Sequence, residues 1–174
     1  MLLRNPFLRL ASTYLDKIVN PNFDPAKVKI NLLKKYTNVG PNELTFRKFV
    51  SLISLNNTLR FDIHWRPQVD FLVYHNYDLY VQMEKFENSK TLIEKNCNVK
   101  IIDARKLTLH GNDIFKKIKD KNFTNIAPFE ILNLRTKGAS PSLVSMYDEE
   151  TKKIVCDLFK EDIILYDSNF NEKC

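Results

Sequence analysis

The chain has 174 residues, of which 44% are hydrophobic and 28% charged, and it carries a formal net charge of +6 at pH 7. That length suits one domain burying roughly 70% of its unfolded surface, and the composition excludes disorder as the default state. The positive balance favours an anionic partner (nucleotide, acidic glycan, nucleic acid or membrane surface), while no apolar run reaches the ~20 residues of a membrane-spanning helix.

In chain order, Met1-Leu2-Leu3 followed by Arg4-Asn5-Pro6 reads as a strand end, a tight turn and the opening of a helix. Pro6 suits a first helical turn, whose free N–H groups carry partial positive charge and attract anions. Arg4 can fork onto phosphate oxygens, and Ser12, further along the helix, can add a hydroxyl donor. Phe7, Leu10, Ala11, Tyr14, Leu15 and Ile18 recur at helical spacing, predicting a helix over 7–19 that Asn20-Pro21-Asn22 stops. The polar stretch 23–42, with a short helix over 27–36, is either an acceptor-side segment or a surface connection. Thr45 caps the next helix, with Phe46, Phe49, Val50, Leu52 and Ile53 on its inner face.

The irregular segment 61–68 contains His64-Trp65-Arg66-Pro67-Gln68. A lone histidine is more often structural. An imidazole titrating near neutrality is nevertheless suited to taking an alcohol proton or positioning an acceptor, and Trp65 reads as a wall beside it. A strand is predicted over 77–84 and a helix over 89–96 with Leu92 and Ile93 inward. A further parallel strand is predicted over 99–102 and a brief basic helix over 114–121. Asn133-Leu134-Arg135-Thr136-Lys137-Gly138 leads into a loop where a Lys-Gly step lets the backbone approach an anion, or simply turns the surface. The last helix, over 148–160, opens on Asp148-Glu149-Glu150 and buries Ile154, Val155, Leu158 and Phe159; residues 163–166 return as a strand or strand-like tail. Strands alternating with helices predict an α/β class.

Cys97, Cys156 and Cys174 form no Cys-x-x-Cys pair, which argues against zinc and against a disulfide framework. Cys97 and Cys156 are expected in or near the core, in a reducing compartment. His75 and His110 lack ligand-like spacing, so no metal is assigned. No aromatic-basic platform or helix-turn-helix pattern supports nucleic-acid binding.

Arg4-Asn5-Pro6-x-x-Arg9-Leu10-x-Ser12-x-Tyr14 resembles the 3′-phosphate motif of 3′-phosphoadenosine 5′-phosphosulfate (PAPS)-dependent carbohydrate sulfotransferases, the family of the chondroitin and dermatan enzymes and their bacterial relatives. Phe46-Arg47-Lys48-Phe49, His64-Trp65-x-Pro67-Gln68, and the closing stretch Met146-Tyr147-Asp148 through Asp162 and Tyr166 are similar to further segments of that family. The resemblance implies a single sulfotransferase-like domain over 1–174, a mostly parallel sheet flanked by helices in a nucleotide-kinase-like (P-loop NTPase-like) fold. It implies PAPS as co-substrate, a carbohydrate or similar hydroxyl acceptor, and no metal. Arg4 and Ser12 would hold the 3′-phosphate, Lys137 would close over it, and His64 would serve as base. Arg9 would either join the motif's work or pair with a carboxylate.

The family's 5′-phosphosulfate loop, a Lys with Thr or Ser, precedes the motif, so the expected chain is amino-truncated. No Gly-x-x-x-x-Gly-Lys-Ser/Thr pattern replaces that loop. The alternative to an enzyme is a remnant or binding module that keeps the phosphate half-site without turnover. The expected location is cytoplasmic, or the Golgi membrane if an upstream anchor exists.

Overall fold

Asn5 decides where the first helix begins. In the computed structural model of the protein, which describes residues 1–20, 41–55, 62–103 and 114–171, strand β1 (Leu2–Leu3) gives way within two residues to helix α1 (Pro6–Lys17). The Asn5 side chain accepts from the backbone N–H groups of Phe7 (3.0 Å) and Leu8 (3.2 Å), and Pro6 fills the first helical position without a donor to satisfy. The buried face of α1 is Leu10, Ala11, Tyr14 and Leu15, continued by Ile18 and Val19. The predicted helix over 27–36, most of the stretch 23–42, His110 and Cys174 lie outside the described residues.

Helix α2 (Phe46–Ile53) starts at Thr45, whose hydroxyl accepts from Lys48 N–H, and turns all five predicted apolar residues inward. Tyr14 meets Phe46 edge-on at 5.2 Å between ring centroids, Phe46 meets Tyr147 at 4.9 Å, and Phe49 meets Trp65 at 5.5 Å. Such edge-to-face pairs add to area burial and fix the angle at which α1 and α2 pack. Trp65 is therefore part of the core rather than of an open surface.

The sheet is smaller than predicted. Strand β2 (Val81–Gln82) lies parallel to β1, with Leu2 opposite Val81 and Leu3 opposite Gln82. A separate parallel pair joins β3 (Lys116–Ile118) to β4 (Ala139–Pro141). Helix α3 (Phe86–Cys97) follows β2, and α4 (Pro128–Thr136) precedes β4. Mixed helices and small parallel pairs are consistent with the α/β class.

Several local expectations need correction. The basic run over 114–121 contains strand β3, not a helix: Lys116 N–H donates to the Gly138 carbonyl at 2.9 Å, and only Ile118 packs against the core. Long-range pairing there overrides local helix preference. Residues 99–102 form no strand; Val99 is 48% and Ile102 75% exposed. Leu92 faces solvent at 46% exposure, because α3 packs chiefly through Ser89, whose hydroxyl donates to the Gln82 carbonyl at 2.6 Å. Cys97 and Cys156 are both exposed, at the end of α3 and on an outer face.

Two helices close the chain. In α5 (Glu149–Leu158), Asp148 and Thr151 form a reciprocal capping box, and Arg47 pairs with both Asp148 and Glu150. Burial alone would raise the Asp148 carboxyl, but hydrogen bonds from Thr151 and the Arg47 guanidinium outweigh it and hold its pKa below the usual value. The chain then bends at buried Phe159 into α6 (Lys160–Phe170), where a strand was predicted over 163–166. The apolar run Ile163-Ile164-Leu165 imitates a strand, yet Asp162 and Tyr166 are the buried positions, four residues apart as one helix face requires.

The hydroxyls of Tyr14 and Tyr147 donate to the carbonyls of Leu44 (2.9 Å) and Phe7 (2.7 Å), and burial pushes both above the ordinary tyrosine value of 10.0. The unfolded chain releases these protons near pH 10 while the folded chain keeps them, so their stabilisation is complete below that pH and is lost above it. Thermal midpoints measured from pH 8 to 12 are expected to fall steeply above pH 10, and less steeply when both residues are phenylalanine. Equal slopes would contradict this.

Candidate functional site

Arg4 leaves the end of β1 and α1 presents Arg9 and Thr13 on one face, since residues four apart stack on a helix. Together with Leu3, Ile63, His64, Gln68 and Met83 they line a cavity of about 300 Å³. Sequence positions 4 and 64 thus meet in one site. Arg9 donates to the Ile63 carbonyl at 3.3 Å, and the Thr13 hydroxyl donates to the His64 carbonyl at 3.1 Å. These bonds hold the His-Trp-x-Pro-Gln segment against α1.

Gln68 fixes the Arg4 turn from behind. Its side-chain oxygen accepts from Arg4 N–H at 2.9 Å and its amide nitrogen donates to the Arg4 carbonyl at 2.8 Å, an arrangement that copies a strand partner. Gln68 is itself held by Asp162 of α6, 1% exposed, whose two oxygens accept from the backbone N–H groups of Gln68 (2.8 Å) and Val69 (2.9 Å). Burial raises the Asp162 carboxyl, while those amides and the Arg9 charge act in the opposite direction. Burial likewise lowers Arg9; Asp162 counters that shift and Arg4 adds to it. Arg4 and Arg9 thus bring two guanidiniums to one cavity lining, with Asp162 behind Arg9 and Glu84 beside Arg4.

Glu84 holds the other side of the turn. Its Oε1 accepts from Asn5 N–H at 3.0 Å and lies 3.8 Å from Arg4 Nε, and its Oε2 accepts from the Tyr166 hydroxyl at 3.2 Å. Tyr166 in turn accepts from Gln82 Nε2 at 3.1 Å. One face of α6 thus supports both Gln68 and Glu84, and through them Arg4.

The opening amides of α1 do not serve as the expected anion cradle. Phe7 and Leu8 N–H are taken by Asn5, Asn5 N–H by Glu84, and Pro6 has none. The positive charge comes instead from the Arg4 and Arg9 side chains. Ser12 is half-buried on α1 and lies outside the lining residues; Thr13 is the hydroxyl on the wall. Lys137 is exposed at the end of α4, where it terminates the helix before Gly138 takes a φ of 79° and the chain enters β4. Arg135, in the same stretch, donates to the Leu15 carbonyl at 2.7 Å and so ties α4 to α1.

Sequence reasoning missed Asp62, Thr13, Glu84 and the clamping role of Gln68. Asp62 stands two residues before His64 and meets its Nδ1 at 2.5 Å, a local signal that spacing alone could have suggested. Among the described residues, no helix is long and apolar enough to cross a membrane, and no cluster of three or more His, Cys, Asp or Glu is placed to hold a metal ion.

Neither the curated proteins nor the solved structures contain a match to this chain. The model described as Sulfotransferase family matches residues 1–170, which include the arginine-lined cavity, its Gln68 clamp and both closing helices, and on that match the chain belongs to the sulfotransferase family.

Proposed function

We propose that the protein transfers a sulfuryl group from PAPS to a hydroxyl of a carbohydrate or similar acceptor. Family membership supplies the reaction class, a sulfate donor and a hydroxyl acceptor. The observation supporting this donor is the pair of guanidiniums, Arg4 and Arg9, lining one cavity with His64. Arginine suits phosphate because its planar fork offers paired N–H donors.

In this reading Arg4 and Arg9 grip the 3′-phosphate and so set the position of the sulfuryl group. His64 takes the acceptor's hydroxyl proton as that oxygen bonds to sulfur; the sulfur–oxygen bond to the 5′-phosphate breaks, and its electron pair leaves with 3′,5′-adenosine bisphosphate. The catalytic contribution is then positioning plus one proton transfer. Ser12 and Lys137 are contacts made only on nucleotide binding.

Assays with sulfur-labelled donor and a panel of sugar, lipid and small-alcohol acceptors test the reading. His64→Ala is expected to lower kcat by roughly 10²–10⁴-fold, as loss of a general base does. Lys137→Ala is expected to weaken nucleotide binding less than about fivefold, because an exposed, solvent-screened charge contact is worth about 0.2–1 kcal/mol. Undiminished turnover in His64→Ala would remove that residue from the mechanism.

Binding without turnover is the second reading. It is favoured by the charge inventory: among the described residues lining the cavity, Arg4 and Arg9 are the cations, and both are assigned to the 3′ end. Nucleotide binding with no transfer to any acceptor in the panel would support it.

A further inference from the structure

We propose that Asp62 is a positioning residue that fixes which nitrogen of the His64 ring serves the cavity, an inference that rests on the proposed role of His64 as base. A single oxygen carries the argument. Asp62 Oδ1 accepts from the His64 backbone N–H at 2.8 Å and meets His64 Nδ1 at 2.5 Å.

A carboxylate oxygen near neutrality accepts hydrogen bonds and has no proton to give. Nδ1 must therefore carry the proton, and the neutral ring keeps its lone pair on Nε2, the nitrogen suited to abstract a proton. Free imidazole side chains in water favour the opposite tautomer, so the preference has to be imposed by the protein.

The pair is held on a rigid turn. The Asp62 carbonyl accepts from the N–H groups of Trp65 (3.3 Å) and Arg66 (2.9 Å), and Trp65 is buried against Phe49. Thr13 fixes the His64 carbonyl to α1. Asp62 thus places the ring relative to both neighbours of the cavity, the turn and the helix.

Nitrogen NMR of the full chain labelled at histidine reads the tautomer directly. The expected neutral ring is protonated on Nδ1. In Asp62→Asn the amide keeps an oxygen for the backbone N–H but is a weaker acceptor than a carboxylate, so Nδ1–H stays the major form and the minor tautomer becomes visible. In Asp62→Ala the preference is lost and both tautomers populate. If the alanine variant does not fold, the near-isosteric asparagine variant still shows the weakened preference.

Turnover gives an independent readout. Asp62→Asn is expected to lower kcat without changing KM for the donor. A purely structural Asp62 would lower the melting temperature and leave the tautomer alone. A wild-type ring protonated on Nε2, or the same tautomer balance in all three proteins, would overturn the Asp62 proposal alone; full turnover in His64→Ala would overturn the base assignment alone.

Discussion

Removing the Arg4 guanidinium is expected to abolish most of the affinity for 3′,5′-adenosine bisphosphate. A charge-assisted contact is worth about 1.5–3 kcal/mol, so Arg4→Ala should weaken binding roughly 10- to 150-fold by calorimetry. Folding should be nearly unaffected, because the Gln68 clamp grips the Arg4 backbone and not its side chain.

Glu84 gives the matching gain. Its carboxylate stands 3.8 Å from Arg4 Nε and competes with an incoming phosphate for that charge. Glu84→Gln keeps an oxygen for Asn5 N–H but removes the charge. Partly exposed ion pairs are worth about 0.2–1 kcal/mol, so binding should tighten by up to about fivefold at low salt. Opposite signs from neighbouring substitutions separate a phosphate grip from general loss of positive charge. Equal affinity for wild type and Arg4→Ala would sink the assignment.

The second large effect concerns the frame behind the site. Asp162→Ala leaves the buried N–H groups of Gln68 and Val69 without their acceptor and deprives Arg9 of an opposing charge. The expected cost is about 3 kcal/mol, or roughly 6–12 °C in melting temperature for a chain of this size. Asp162→Asn should recover only part of this, since its amide nitrogen faces one of the two N–H donors. Nucleotide affinity should fall as well at temperatures where the variant remains folded, because Gln68 loses its support. A melting temperature within about 2 °C of wild type would show that the α6 carboxylate does not hold the turn.

Helix starts were readable where the signal is local. Thr45 reads as the cap of α2 and is one; Arg4-Asn5-Pro6 and Asp148-Glu149-Glu150 mark where α1 and α5 open, and the structure adds that Asn5 and Asp148 are their caps. The same local reading contained a mistake that physics resolves. Asparagine at a helix start is a self-contained cap, so the amides expected to receive an anion are already occupied by its oxygen.

What the sequence concealed is long-range. Gln68 meets Arg4 across 64 positions, and Asp162 meets Gln68 across 94; no periodicity encodes either bond. Strand β3 exists because Lys116–Ile118 finds β4, and α6 replaces a strand because Asp162 and Tyr166 need one inward face. In both places an apolar or basic run carries little information until its partner is known.

The position of the nucleotide's 3′-phosphate tests the arginine site most directly. A crystal of the protein grown with 3′,5′-adenosine bisphosphate should show that phosphate between the Arg4 and Arg9 guanidiniums, with the His64 ring facing the 5′ end. Nucleotide seated elsewhere on the surface, with both guanidiniums still turned to Glu84 and the Ile63 carbonyl, would contradict it.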